Sequence, residues 1–142
     1  MTPKRFILAV VVVFVGYWLT SFLIHGLWLN SLYKETMNLW RSEAEMTRHM
    51  GGMFLGQFLW SLAFVLVWSK GFPAVASLGR SCLYGLTMGI FFESNSLIMY
   101  TVQPLPGHMI AKWVIAGLAQ GALMGILVYL VGKPKTAPAP SS

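Results

Sequence analysis

The sequence predicts an all-α fold: an integral membrane antiparallel four-helix bundle with a short interfacial helix in the first loop. Three observations carry that expectation. Of 142 residues, 56% are hydrophobic and only 10% charged, where a soluble domain carries about 25% charged residues. Four apolar stretches, at about 6–28, 44–70, 78–102 and 108–131, reach the roughly 20 helical residues needed to cross a hydrocarbon core. The runs are continuous, as in "FILAVVVVFVGYWL", and lack the polar–apolar alternation over about ten residues that marks a membrane β-barrel. Residues 1–132 are expected to form one transmembrane domain, since too little chain separates the spans for a soluble one.

Lys4 and Arg5 open the first span. Its apolar run exceeds the roughly 7–15 residues of a signal-peptide core and "LIHGLWLN" offers no small-x-small cleavage site, so the segment is expected to be retained. In the loop that follows, Tyr33, Met37, Trp40 and Ala44 recur at helical spacing while Lys34, Glu35, Asn38 and Arg41 point elsewhere. That pattern predicts a short helix lying in the interface, where tyrosine and tryptophan are at home.

Ser42 with Glu45 three residues on fits a capping box, and Glu43 and Glu45 occupy a first turn favoured by the helix dipole. The second span is therefore expected to start near Glu43, to project about two turns beyond the bilayer, and to end at Lys70. Gly71 is its expected stop, with Pro73 beyond. The turn "QPLPG" is so short that the third and fourth spans are predicted to form an antiparallel hairpin. After Val131, "GKPKTAPAPSS" has no bulky apolar residue, and 133–142 is expected to be a disordered Pro-rich tail.

Four spans place both termini on one side. Lys4, Arg5, Lys70, Arg80, Lys133 and Lys135 lie on that side, against Lys34, Arg41, Arg48 and Lys112 on the other, and the positive-inside rule then predicts cytoplasmic N and C termini. The net charge of +6 clusters at span ends, which points to the lipid bilayer as partner and away from nucleic acid. Cys82 is the single cysteine, so no intramolecular disulfide forms.

Glycines four apart supply the packing pattern: Gly52 and Gly56; Gly85 and Gly89; Gly117, Gly121 and Gly125. Small residues at this spacing let helix backbones approach closely in lipid. One further step of four from Gly89 reaches Glu93, so its carboxyl is expected to face another helix. A charge at mid-span costs about 2.5–3.5 kcal/mol on the insertion scale, while each Leu, Ile or Phe returns only about 0.3–0.6. The third span is thus marginal on its own.

Counting depth along the helices puts Thr20, Ser21, Gln57, Ser61 and Gln120 near the level of Glu93. This predicts a buried polar belt, with a neutral Glu93 hydrogen-bonded to Gln120 or Thr20. Asn95 lies about 200° around the helix from Glu93 and must meet a different neighbour, for which an oligomer interface is one candidate. His25, His49, His108 and Lys112 fall nearer the outer surface. No two of the histidines sit at i, i+3 or i+4 on one helix, so neither a metal nor a cofactor is predicted. Lys112 is expected to snorkel to the headgroups, the alternative being an inward pair with Glu93.

The segments "IHGLWLNSLY", "LWRSEAEM" and "YTVQPLPGHMIAKWVIAGLAQG" resemble patterns of small four-pass bacterial inner-membrane proteins of unknown function, over most of the chain before Lys133. The resemblance implies a bacterial inner-membrane address and no mechanism. Two function classes stay open. One is a binding, assembly or accessory membrane protein, partnered by its own copies or a larger membrane complex. The other is a proton-coupled or small-solute transporter using Glu93, since intramembrane ionisable groups are functional candidates. An enzyme ranks third: the sequence has no paired carboxylates, no nucleophile beside a base and no phosphate-cradling loop.

Overall fold

The structure is a computed structural model that describes residues 1–71 and 76–133. All regular elements among them are helical: α1 (Pro3–Ser21), continued by a π-helical stretch (Phe22–Trp28), α2 (Asn30–Glu35), a 3-10 turn (Met37–Leu39), α3 (Glu43–Arg48), α4 (Met50–Gly71), α5 (Leu78–Val102) and α6 (Gly107–Gly132). Pro73 and residues 134–142 of the expected tail lie outside the described residues.

Thr2 caps α1 by accepting from the Arg5 N–H, and Pro3 takes the first helical position, where its missing N–H is no loss. From Phe22 onward the helix widens, and the Leu29 N–H bonds the Ile24 carbonyl at 2.8 Å, five residues back. The first span therefore ends in π geometry.

The second span expected to start near Glu43 is corrected by the structure. The Ser42–Glu45 capping box forms, but the helix it starts ends at His49 and a second one begins at Met50. The His49 ring supplies the reason. Its Nδ1 lies 2.7 Å from the Glu45 carbonyl, which also receives the His49 N–H, so side chain and backbone converge on one acceptor and hold the turn closed. The single interfacial helix expected in the first loop is likewise two pieces, α2 and the 3-10 turn, divided at Thr36. The Thr36 hydroxyl donates to the Leu32 carbonyl at 2.8 Å.

The four long helices pack antiparallel to their neighbours. α5 lies along the full length of α6, α1 packs between α6 and α4, and α4 reaches α5 mainly through its C-terminal half. There Trp68 Nε1 donates to Ser81 Oγ at 3.1 Å and the Tyr84 hydroxyl donates to the Phe64 carbonyl. The main core gathers around Val13, Phe64, Trp68, Met124 and Val128, all buried. Arg5 donates to the Lys133 carbonyl at 2.7 Å, so the start of α1 and the end of α6 share one end of the molecule. A second cluster, Leu29, Leu32, Leu105, Met109 and Ile110, fastens α2 over the start of α6 at the other end.

Three helices are long and apolar enough to cross a membrane: Pro3–Trp28, Met50–Gly71 and Gly107–Gly132. Large apolar side chains such as Ile7 (64% exposed) and Ile115 (65%) cover their outer faces, which in water would form patches far beyond those of a soluble monomer. This is a membrane protein. α5, with 25 residues, has the length but not the apolar character, because Arg80, Glu93, Asn95 and several serines and threonines interrupt it.

Candidate functional site

The α5–α6 seam is a contact of backbone on backbone. A Cβ at Gly85 would overlap the Gly121 carbonyl oxygen, one at Gly121 the Gly85 carbonyl oxygen, and one at Gly125 the Ser81 carbonyl oxygen. At Gly89 it would stand 3.0 Å from the Gly117 oxygen. The seam ends in a different kind of contact, because the space a Gly117 Cβ would need is filled by the Glu93 carboxyl. Glu93 is only 7% exposed and accepts from the Ser96 hydroxyl at 2.7 Å.

The expected bond between Glu93 and Gln120 or Thr20 is not made. Gln120 turns to α1, its amide nitrogen lying 2.6 Å from Thr20 Oγ1 and 3.1 Å from both Ser21 Oγ and the Tyr17 carbonyl. Two amide hydrogens are thus offered to three acceptors, and α6 is fixed to α1 at this level. Gln57 joins neither group: Ser61 donates to its backbone carbonyl at 2.8 Å, while its side-chain oxygen is buried with no partner among the described residues. Asn95 is exposed on the outer face of α5. The polar belt is therefore three separate features.

The outer end carries an aromatic cluster that the sequence reading assigned to the lipid interface. Tyr33 and Trp40 turn inward, with ring centroids 5.6 Å apart at 86°. Trp113 of α6 donates to the Tyr33 oxygen at 2.8 Å, and His25 Nδ1 lies 2.6 Å from the same oxygen. Which of the Tyr33 hydroxyl and His25 Nδ1 donates follows the histidine tautomer. Burial pushes the Tyr33 phenol up from its ordinary value of 10.0, against the opposing Trp113 hydrogen bond, so it stays a phenol at neutral pH. Trp40 Nε1 donates to Thr36 Oγ1 at 3.0 Å. The π stretch brings His25 to this cluster, whose signal in the sequence was the inward spacing of Tyr33 and Trp40 beside a boundary histidine.

The remaining outer residues stay apart. His49 sits at the α3–α4 break with Arg41 3.4 Å from its Nε2, and His108 is exposed at the start of α6. Lys112 lies over the Trp28 ring, 5.9 Å from its centroid, so it turns to the outer rim and not to Glu93. No group of three or more His, Cys, Asp or Glu is arranged to hold a metal among the described residues. No protein-family model, curated protein or solved structure matches this chain.

Proposed function

We propose that the chain is an assembly protein of the bacterial inner membrane, a four-helix transmembrane bundle that associates with further copies of itself through the outer halves of α4 and α5. The observation that carries this reading is Asn95. Its amide lies on the outward face of α5, between Phe91 (75% exposed) and Ile98 (61%), and makes no side-chain hydrogen bond among the described residues. With α5 as the fourth crossing, Asn95 sits about 10 Å below the helix end, seven residues in at 1.5 Å each. An unpaired amide at that depth costs several kcal/mol. A primary amide is both donor and acceptor, so two copies facing across a two-fold axis satisfy each other.

The neighbouring half of α4 supports the same conclusion. Gly52 and Gly56 have nothing within 4 Å of where a Cβ would stand, leaving a small-residue face free for close helix approach. The charge bias supports a cytoplasmic side for the end that holds Arg5 and Lys133, with five described basic residues there against four at the other end. Glu93 acts in this reading as a register pin, its carboxyl filling the gap over Gly117.

Single-molecule photobleaching in lipid vesicles tests the proposal. Multiple bleaching steps are expected for the natural chain. Asn95→Leu removes an interhelical hydrogen bond of about 0.6–1.7 kcal/mol and should shift the population towards single steps; an unchanged step distribution contradicts it.

A further inference from the structure

We infer that a groove at the outer end of the molecule is a binding site for one zwitterionic phospholipid headgroup. The groove encloses about 450 Å³ between the π stretch, α2 and the start of α3. This inference stands apart from self-association, which uses α4 and α5.

Its walls divide by chemistry. Tyr33, Trp40, Met37 and Met46 form an apolar bed, and the two methionines are 67% and 46% exposed, unbranched thioethers that mould to an irregular occupant. Lys34 and Arg41 supply positive charge on the rim, and neither is ion-paired among the described residues. A guanidinium and an ammonium lining one groove can share a phosphate, the first by its two-pronged donor geometry and the second as a point charge, and Arg41 keeps one nitrogen 3.4 Å from His49 Nε2. Glu43 lines the same groove and opposes a second negative charge there. It suits the ammonium of an ethanolamine headgroup.

Location supplies the source of the phosphate. His25 and Gly26 line the groove at the end of the first membrane-crossing helix, and Tyr33 and Trp40 line it too, residue types at home where aromatic side chains meet headgroups. The bilayer holds phospholipids there at high local concentration. A headgroup entering the groove leaves its acyl chains in the membrane beside the exposed face of α1.

Native mass spectrometry of the detergent-solubilised protein tests this, with added dioleoyl phosphatidylethanolamine, dioleoyl phosphatidylglycerol, dioleoylglycerol and inorganic phosphate as separate probes. Phosphatidylethanolamine should be retained best. The Lys34→Gln/Arg41→Gln double variant should hold it at least about tenfold more weakly. Met46→Glu, which alters the apolar bed and not the cations, should lower retention as well. Equal retention by the double variant, binding of dioleoylglycerol or phosphatidylglycerol as tight as phosphatidylethanolamine, or displacement of the lipid by millimolar inorganic phosphate would each overturn the inference.

Discussion

Glu93 and Gly117 behave as one unit, because the carboxyl occupies the volume that a side chain at 117 would need. Gly117→Ala should therefore destabilise the protein by about 1–3 kcal/mol, the usual cost of overpacking. Adding Glu93→Ala should recover most of that loss, a coupling read from thermal unfolding of both single variants and the double variant in detergent. Strict additivity would contradict the contact. The glycine stripe and its extension to Glu93 were legible in the sequence, since a step of four keeps residues on one helix face whatever the tertiary context. The partner of Gln120 was not read correctly, although the information was present. Depth alone placed Gln120 beside Glu93, but it lies about 60° to 100° off the glycine face, which turns its amide to α1 instead.

At the scale of elements, the first loop departs most from its sequence pattern. Helical spacing of Tyr33, Met37 and Trp40 is compatible with an interfacial helix, yet a hydrogen bond from Trp113 and one shared with His25 draw Tyr33 inward. Neither partner is near in sequence to the other, so local periodicity had no means to reveal them. The π stretch was equally hidden, since no residue type in "FLIHGLW" demands it. Tyr33→Phe leaves the part-buried Trp113 N–H without its acceptor and should cost about 1–3 kcal/mol, while the exposed His25 ring can turn to water. Unchanged unfolding of that variant would mean that water replaces the hydroxyl. The capping box was read correctly, because its signature is local. The Ser42 side-chain and backbone hydrogen bonds hold the Glu45 carboxyl below its ordinary 4.5. A depressed carboxylate stabilises the folded state fully above its unfolded value and ceases to do so as pH falls through the folded one. Hydrogen-exchange protection of α3, corrected for intrinsic rates, should thus be constant near neutrality and decline below about pH 4.5. Ser42→Ala should weaken that acid-side decline, since the backbone N–H at 42 keeps its bond to the Glu45 carboxylate, and an undiminished decline in the variant would assign it to another group.

For the whole molecule, three helices are long and apolar enough to cross the membrane, and the proposed fourth crossing rests on packing. α5 is too polar to be recognised by hydropathy, yet α6 meets it backbone to backbone from Ser81 to Gly89, so in the proposed bundle the two enter the membrane together. Alkaline phosphatase fused after Lys133 should be inactive, with the termini on the cytoplasmic side; an active fusion would invert the topology. Self-association then accounts for the polar and small residues that a single copy leaves on α4 and α5. Oxygen accessibility of a nitroxide spin label at position 98, one turn from Asn95 on α5, in reconstituted bilayers and a Cys82→Ser background, tests that most directly. The protein–protein contact predicts low accessibility at 98 beside high accessibility for the same label at position 7 on the outer face of α1, although both side chains are exposed in the single copy. Accessibility at 98 as high as at 7 would contradict it.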